Sequence, residues 1–384
     1  MSRIARIPIT NVYADGAYTG LIRVGPELKP MNVLLDSGSA VLALDSHKYK
    51  PHKLGGDRTT KFAQYMSYYD NSHWAGGVIK TVVSVGGGEQ MITVAGINAA
   101  IAYEQTDDMF GETDGILGLA YAPLDEAWEM PKDTTAKHYT STQIRQGRYT
   151  TITPYLTQLD RHNVVFDIFG FYTLRSCIHH NGRKTLDAVD PLNQGWMILG
   201  GGEECRDLYK GRFQEAKVLA EQWYNTNLKA VIVGKTAPLA VHQKAISGYP
   251  SNSIVDSGTT SLDFGPALLK SIISRFSKAQ QKLIQEALSR KKSQHVAMAD
   301  LNLKAWPDLT IVLQGLKRKD VVLTVKPEDY WQVNAPKPGL ATLAITEGEP
   351  GFTILGLPLM NGYFTIFDGE ADNDRGVVKF AKRG

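Results

Sequence analysis

A short pattern of an aspartate, a serine, a glycine and a second hydroxyl residue occurs twice in this chain. The two copies are Asp36-Ser37-Gly38-Ser39 and Asp256-Ser257-Gly258-Thr259. Each copy follows an apolar, strand-like run and precedes another apolar stretch. A glycine two residues after an aspartate permits a tight turn with close backbone approach. The hydroxyls of Ser39 and Thr259 can donate outer hydrogen bonds that hold the carboxylates in place.

Two carboxylates that share one water molecule can hydrolyse a bond by acid–base chemistry. Like charges disfavour double ionisation, so such a pair holds a single proton over a wide pH range. The charged member takes a proton from water while the protonated member polarises a carbonyl group. We therefore predict that Asp36 and Asp256 are catalytic, without a metal ion or a covalent intermediate. We expect the hydroxyls of Ser37 and Ser257 to tie one turn to the other.

A second element follows each aspartate motif. It is Ile116-Leu117-Gly118 in the first half and Ile354-Leu355-Gly356 in the second. Two different elements in the same order indicate a duplicated fold unit, and 384 residues exceed the size of one hydrophobic core. We predict an N-terminal lobe over 1–167, which contains Asp36, and a C-terminal lobe over 168–384, which contains Asp256. The last strands are expected to return to a sheet between the lobes.

The remaining pattern is typical of a mostly β protein with a few helices. Short β-rich runs such as 80–85 and 309–313 are separated by glycine-rich turns such as 86–88. Apolar residues recur at helical spacing from 266 to about 292, which predicts an amphipathic helix or a helical pair packed on the β-core. The polar segment 175–195 is expected to be a surface loop.

Composition and charge exclude several classes of protein. Hydrophobic residues make up 43% and charged residues 21%, which is ordinary for a globular protein. The net charge of +3 is spread over the chain, and the basic runs 290–292 and 317–319 are too short for a nucleic-acid groove. No apolar run is long enough for a membrane span. No secretion signal is visible and there are only two cysteines, Cys177 and Cys205, which favours two thiols in a reducing, cytoplasmic compartment.

Two further groups of residues could suggest a ligand. The segment Cys177-Ile178-His179-His180 contains metal-binding residue types, but no second ligand cluster stands at zinc-like spacing. The glycine runs 86–88 and 200–202 lack the lysine and hydroxyl of a phosphate loop. We expect the cysteine and histidine segment to be a chance grouping and the glycine runs to be turns. We expect no metal or other cofactor.

The chain resembles the pepsin family of aspartic peptidases, and more narrowly the bacterial pepsin homologues of the shewasin type. The resemblance covers nearly the whole chain and includes both aspartate motifs, both Ile-Leu-Gly elements and the segments 18–25, 114–121, 199–201, 301–309, 363–368 and 378–381. It implies two β-lobes related by a pseudo-twofold axis, with the active-site cleft between them. It also implies an endopeptidase that cleaves peptides or unfolded proteins between bulky hydrophobic residues at acidic pH. Sensitivity to pepstatin-like inhibitors and a monomeric state are further expectations.

The resemblance also assigns roles around the two aspartates. Each Ile-Leu-Gly element is expected to lie beneath its aspartate turn and support it. The family has a β-hairpin flap over the cleft with a tyrosine near its tip. Counting back from Gly76 without gaps places that role on Tyr69, with Tyr68 and Tyr65 as alternatives.

The sequence departs from the family pattern at several points. Serine replaces the usual threonine after each aspartate, and Ala43 replaces a tryptophan that partners the flap tyrosine in the family. Trp74, within the flap itself, could fill that gap. Asp36 lies close to Met1, so the chain is either a processed form or folds without a propeptide, and Met1 favours the second. The family's disulfides have no counterparts here.

An alternative function is a non-catalytic binding protein on the same fold. Loss of activity in such proteins often alters an aspartate or its supporting hydroxyl. Asp36, Asp256, Ser39 and Thr259 are all present here, which favours the enzyme.

Overall fold

The computed structural model describes residues 3–52, 55–68, 72–106, 109–134, 137–242, 248–290 and 294–384. Strands predominate over helices, so the prediction of a mostly β fold is confirmed. The chain divides into two compact units. The first unit comprises Met1–Pro8, Thr19–Asp167 and Ile198–Gly200, and the second comprises Ile9–Tyr18, Ile168–Met197 and Gly201–Gly384.

The strands and helices have the following bounds. The strands up to residue 151 are β1 (Ala5–Ala14), β2 (Ala17–Val24), β3 (Lys29–Asp36), β4 (Leu42–Asp45), β5 (Arg58–Ser67), β6 (His73–Val85), β7 (Ile92–Gln105), β8 (Gly115–Gly118), β9 (Glu126–Glu129) and β10 (Arg148–Thr151). The later strands are β11 (Ile168–Tyr172), β12 (Gln194–Leu199), β13 (Tyr209–Lys217), β14 (Asn225–Thr226), β15 (Leu228–Val233), β16 (Leu239–Ala240), β17 (Ser253–Val255), β18 (Leu262–Phe264), β19 (His295–Ala297), β20 (Leu309–Leu313), β21 (Val321–Val325), β22 (Trp331–Val333), β23 (Leu340–Leu343), β24 (Ile345–Glu347), β25 (Thr353–Leu355), β26 (Tyr363–Asp368) and β27 (Val377–Arg383). The helices are α1 (Ser141–Ile144), α2 (Tyr155–Arg161), α3 (Lys184–Asp187), α4 (Pro266–Ile273), α5 (Lys278–Ser289), α6 (Pro327–Tyr330) and α7 (Leu357–Met360).

The first unit is built on a sheet in which β10, β9, β5, β6, β7, β4, β8, β3 and β2 follow one another. The pairs β3/β8 and β4/β7 are parallel. Along β3, the buried residues Met31, Val33 and Leu35 alternate with more accessible ones, as a strand with one face on the core requires. Because β3 is packed on the core in this way, the position of Asp36 at the end of the strand is fixed.

The second unit contains several smaller sheets. One sheet has the order β14, β17, β25, β18, β24, and it carries the second aspartate motif at the end of β17. Another has the order β16, β15, β20, β21. The predicted strand at 309–313 is β20, and its alternate residues Leu309, Ile311 and Leu313 are fully buried. This part of the prediction is confirmed.

The predicted helical segment after residue 266 is also confirmed, as the pair α4 and α5. Pro266 occupies the first turn of α4, where its missing N–H costs no hydrogen bond. At the start of α5, Ser277 and Gln280 form a reciprocal capping box. The apolar face of the pair is buried through Leu269, Ile272, Ile284 and Ala287. No helix among the described residues is long and apolar enough to cross a bilayer.

The segment 175–195 differs from the expected surface loop. It contains α3, and several of its polar side chains are buried: Arg175, Ser176, Asp187, Asp190 and Asn193. These side chains satisfy backbone groups and one another, because Asn193 accepts from the backbone N–H of His179 and donates to the carbonyls of His179 and Asp187. A polar sequence thus packs inward where its own hydrogen bonds replace those to water.

Candidate active site

Asp36 lies at the end of β3, and its carboxylate is held by its own turn. The backbone N–H of Gly38 donates to Asp36 Oδ1 at 2.8 Å, and the Ser39 hydroxyl donates to Asp36 Oδ2 at 2.5 Å. Asp36 is 7% exposed. Because each oxygen accepts one hydrogen bond from the turn, the plane of the carboxylate is fixed, and an ionised carboxylate has further acceptor sites for other groups.

The first Ile-Leu-Gly element is β8, which supports the Asp36 turn. It runs parallel to β3, with Leu117 opposite Leu35 and Gly118 opposite Asp36. Two more backbone bonds hold the turn, from Leu119 N–H to the Asp36 carbonyl and from Gly118 N–H to the Val41 carbonyl. A Cβ atom at Gly118 would collide with the backbone of Ala40 and Val41. Glycine is required here by close approach of two chain segments.

Asp256 in the second unit is held by the same kinds of donor. The backbone N–H of Gly258 donates to Asp256 Oδ1 at 2.9 Å, and the Thr259 hydroxyl donates to Asp256 Oδ2 at 2.6 Å. Asp256 is also 7% exposed. The two motifs therefore fold into turns with matching hydrogen bonds.

The second Ile-Leu-Gly element supports Asp256 as the first supports Asp36. Ile354 and Leu355 lie in β25, parallel to β17, and the backbone N–H of Asp256 donates to the Leu355 carbonyl at 3.1 Å. The N–H of Gly356 donates to the Ser261 carbonyl. A Cβ atom at Gly356 would collide with the carbonyl oxygens of Thr259 and Ser261. The duplicated sequence elements thus form duplicated local structures.

Ser37 and Ser257 follow the two aspartates and are almost fully buried. Their predicted role, to tie one turn to the other, stays a prediction.

The candidate flap is the hairpin of β5 and β6 in the first unit. Tyr69 lies outside the described residues, so its assignment as the flap tyrosine stays a prediction. Of the two alternatives, Tyr68 accepts a hydrogen bond on its hydroxyl from Trp74 Nε1 at 3.3 Å. Tyr65 instead contacts the guanidinium of Arg145, which lies 4.9 Å from its ring centroid.

Trp74 and Ala43 belong to one apolar cluster. Both residues are fully buried in it, and Tyr68 packs against it. Their presence in one cluster is consistent with the hypothesis that Trp74 replaces the tryptophan expected at position 43. The indole comes from the hairpin itself and donates to a hairpin tyrosine, so the hairpin is anchored by its own residues.

Comparison with known proteins supports the resemblance at the family level. The family model described as eukaryotic aspartyl protease matches residues 17–382. The chain belongs to this family. It is also similar to chymosin of Camelus dromedarius, with 23% identity over 397 residues that cover 99% of this chain and 84% of chymosin. Chymosin of Bos taurus is 24% identical over 395 residues, which cover 98% of this chain and 84% of the relative. As an aspartyl protease, the chain is a pepsin-like hydrolase with peptide substrates.

Each of the two histidines after Cys177 pairs with an aspartate in this aspartyl protease. His179 Nδ1 lies 2.6 Å from Asp190 Oδ2, and His180 Nδ1 lies 2.8 Å from Asp187 Oδ2. Burial raises the pKa of Asp190, but hydrogen bonds from His179, the Leu192 N–H and Asn181 outweigh it and lower that pKa. The pairs anchor the segment 175–195, a role that the spacing of the residues does not reveal.

The cysteines and histidines of this region do not form a cluster of metal-ligating side chains within the described part of the chain. Among the residues that the structure describes, no group of three or more histidine, cysteine, aspartate or glutamate side chains could hold a metal ion. Cys177 and Cys205 are both thiols, and burial raises the pKa of Cys177 to about 11. A thiol with a raised pKa is a poor nucleophile and metal ligand at neutral pH.

Asp263 is a further carboxyl group near the second turn that the sequence analysis missed. It lies in β18 and is almost completely buried. The only sequence signal is an acidic residue at the centre of the apolar triplet Leu262–Phe264, where a partly buried strand would otherwise carry a neutral side chain.

Proposed function

We propose that the chain is an aspartic endopeptidase in which Asp36 and Asp256 jointly activate one water molecule. The observation that carries the proposal is the matching environment of the two carboxylates. Each accepts one backbone N–H and one hydroxyl from its own turn. Two carboxylates that are oriented before substrate arrives suit general acid–base catalysis.

The proposed reaction needs one proton on the pair. The ionised aspartate removes a proton from the water as its oxygen attacks the peptide carbonyl carbon. The protonated aspartate donates its proton to the carbonyl oxygen, which gives a tetrahedral diol. Transfer of a proton to the amide nitrogen then breaks the C–N bond and releases an amine and a carboxylic acid. Because a like-charged pair keeps one proton mainly at acidic pH, we propose an acidic optimum.

The substrate preference is proposed from the family resemblance. We propose cleavage between bulky hydrophobic residues of peptides or unfolded proteins, by a monomeric enzyme. Pepstatin-like inhibitors should bind, since their central hydroxyl imitates the tetrahedral intermediate. Failure of such an inhibitor to bind would indicate a flap of different geometry.

Removal of either carboxylate tests the proposal. Asp36→Asn and Asp256→Asn should each lower the cleavage of an unfolded protein at pH about 4 by at least ~1000-fold, because each removes one half of the acid–base pair. The matched control is Asp329→Asn, which replaces a buried carboxyl outside both motifs and should retain cleavage. Wild-type rates in either motif variant would refute the mechanism. Binding of peptide without cleavage between pH about 3 and 7 would instead support a non-catalytic binding protein.

We also propose a cytoplasmic location and kinship with the shewasin-type bacterial homologues. Support for the location comes from the two thiols, because a reducing compartment keeps cysteines in that state. Thiol labelling of the protein in intact cells, before and after reduction, measures whether the two cysteines are reduced in the cell. Labelling that appears only after reduction would contradict the proposed location.

A further inference from the structure

Three consecutive polar residues stand shortly before the second aspartate motif and are almost completely buried. Ser251, Asn252 and Ser253 are each at most 2% exposed. Ser253 begins β17, a strand of three residues that ends directly before Asp256. Buried polar side chains are stable only where hydrogen bonds replace those to water. The partners of these three residues therefore show what the segment holds in place.

Asn252 binds one residue of another sheet at both of its backbone groups. The N–H of Leu228 donates to Asn252 Oδ1 at 2.8 Å, and Asn252 Nδ2 donates to the Leu228 carbonyl at 2.9 Å. Leu228 is the first residue of β15. The backbone carbonyl of Asn252 accepts from the N–H of Thr353, the first residue of β25, at 3.0 Å. Asn252 thus joins β15 to the sheet that carries the second aspartate motif.

The carboxamide takes the place of a backbone pair where the chain passes from one sheet to another. β14 pairs with β17 over only two residues, Asn225 and Thr226. The chain then continues into β15, which begins at Leu228. A carboxamide has an acceptor and a donor, as a peptide group has. Asn252 therefore continues the hydrogen bonding between the two chain segments beyond the end of the strand pair.

The two serines bind the same stretch of chain. The Ser253 hydroxyl donates to the Thr226 carbonyl at 3.0 Å. The Ser251 hydroxyl accepts from Asn225 Nδ2 at 2.9 Å and donates to the Ser253 carbonyl at 2.7 Å. These groups are buried, so the loss of one partner leaves an unpaired polar group inside the protein. Side chains as well as backbone bonds therefore set the position of β17.

The first unit fixes the strand before its aspartate by longer backbone pairing. β3 has eight residues, of which six pair with β2. Asn32 stands four residues before Asp36, as Asn252 stands four before Asp256. Asn32 uses its backbone there, because its N–H donates to Asp114 Oδ2 and its carbonyl accepts from the Asp114 N–H, both at 2.7 Å. The shorter strand of the second unit is held by the Asn252 side chain instead.

We propose that Asn252 is a positioning residue for Asp256: its two bonds to Leu228 hold the start of β17, and thereby the place of the carboxylate at its end. This inference rests on the proposed function, in which a catalytic group must be held within about 0.5 Å of its productive geometry. The N–H of Asp256 donates to the Leu355 carbonyl of β25. Without the bonds of Asn252, β17 is free to shift along β25 and to move the carboxylate with it.

Two substitutions of Asn252 separate its hydrogen bonds from its shape. Leucine has the same branching as asparagine but no hydrogen-bonding group. Aspartic acid is neutral at pH about 4 when it is buried, and it then has an acceptor and a donor as the carboxamide has. At that pH we expect Asn252→Leu to lower kcat at least ~10-fold with KM within about twofold of wild type, since it displaces an acid–base group and leaves the substrate-binding residues in place. Asn252→Asp should restore kcat to within about threefold of wild type. An Asn252→Asp variant as slow as Asn252→Leu would overturn the proposal.

Asn193 provides the matched control in the same unit. It is also fully buried, and it binds the N–H and the carbonyl of one residue, His179, as Asn252 binds those of Leu228. Asn193→Leu should lower the stability of the fold but leave the kcat of the folded protein within about twofold of wild type. Equal losses of kcat in Asn193→Leu and Asn252→Leu would overturn the proposal, because loss of stability alone would then explain both.

Amide hydrogen exchange tests the positioning without an assay of activity. The reporters are the N–H groups of Asp256 and Gly258, the second of which donates to the Asp256 carboxylate. In an Asp36→Asn background, which prevents self-digestion, Asn252→Leu should raise their exchange rates at least ~10-fold above those in Asn193→Leu. Equal exchange rates in the two leucine variants would overturn the proposal.

A milder substitution keeps the test open if Asn252→Leu does not fold. Ser253→Ala removes the hydroxyl that binds the Thr226 carbonyl and leaves the backbone of β17 unchanged. It should lower kcat and raise the exchange rate of the Asp256 amide by about threefold each, with KM unchanged. Wild-type values of both would overturn the proposal that side chains hold β17 for catalysis.

The outcomes separate this inference from the proposed function. A wild-type enzyme that cleaves, with an Asn252→Leu variant of equal kcat, would overturn the role of Asn252 alone. A wild-type protein that cleaves nothing would overturn the proposed function, while the exchange rate of the Asp256 amide would still decide whether Asn252 holds the aspartate turn.

Discussion

At the scale of single residues, the hydroxyl groups of Ser39 and Thr259 have equivalent positions in the two aspartate turns. Each donates to the Oδ2 atom of its aspartate, at 2.5 and 2.6 Å. A hydrogen bond to a charged group typically contributes about 1.5–3 kcal/mol. The methyl group that distinguishes threonine from serine has no part in this bond, which explains how the two units can use different residues for one task.

Exchange of these hydroxyl residues gives a sharp test. Ser39→Ala and Thr259→Ala should each lower kcat/KM by roughly 10- to 100-fold, since the carboxylate loses a donor that orients it. The controls are Ser39→Thr and Thr259→Ser, which give each turn the residue of the other and should stay within about threefold of wild type. Peptide hydrolysis at acidic pH measures both. Alanine variants as active as the wild type would show that the hydroxyls are dispensable.

At the scale of secondary-structure elements, the β5–β6 hairpin is anchored by residues of its own. Trp74 belongs to the same buried cluster as Ala43 and donates to the Tyr68 hydroxyl. In addition, the N–H of Tyr68 donates to the Ser72 carbonyl and closes the hairpin. A large residue from the hairpin thus shares a buried cluster with the small residue Ala43 of strand β4.

Substitutions in this pair test the anchor. Tyr68→Phe and Trp74→Phe should each reduce kcat/KM several-fold, because each removes one partner of the hydrogen bond and keeps most of the packing. The double variant should lose little more than either single one, with a coupling energy of about 1 kcal/mol. Strictly additive losses would show that the two residues act independently. A loss confined to Tyr69→Phe would instead favour Tyr69 as the flap tyrosine.

The sequence predicts those elements that depend on local pattern. The strand at 309–313 and the helical pair after Pro266 follow from periodicity, and the two Ile-Leu-Gly elements follow from repetition. Contacts between particular side chains do not follow from either. The Trp74–Tyr68 and His179–Asp190 pairs depend on which side chains the packing brings together, and the burial of Asp263 depends on two strand registers. Local pattern carries no information about these.

At the scale of the whole molecule, buried carboxyl groups make the free energy of unfolding depend on pH. Burial raises the pKa of Asp329 to about 6 and raises that of Asp125 well above its ordinary value, with only a hydrogen bond from Gln64 to oppose it. The folded protein therefore binds these protons more tightly than the unfolded chain. Their contribution to stability is fully present below pH about 4 and is lost as the pH rises through 6.

We expect stability to fall between pH 4 and 7. For Asp329 the loss is up to about 3 kcal/mol, and Asp329→Asn should remove that part of the pH dependence, because asparagine stays neutral. Urea unfolding at both pH values measures this, with Asp36→Asn as the background to prevent self-digestion. Asp190, with its lowered pKa, acts only below pH about 4 and does not affect this range. An Asp329→Asn protein with the same pH dependence as its background would contradict the assignment.

The local construction of the two aspartate turns has a consequence for how the sequence can change. Each cradle takes its hydroxyl, its amide donor and its supporting strand from its own half of the chain, so an exchange in one copy places no demand on the other. The residues around the two aspartate motifs can differ while both motifs keep their aspartate. An acidic residue such as Asp263 can therefore occur after one copy alone.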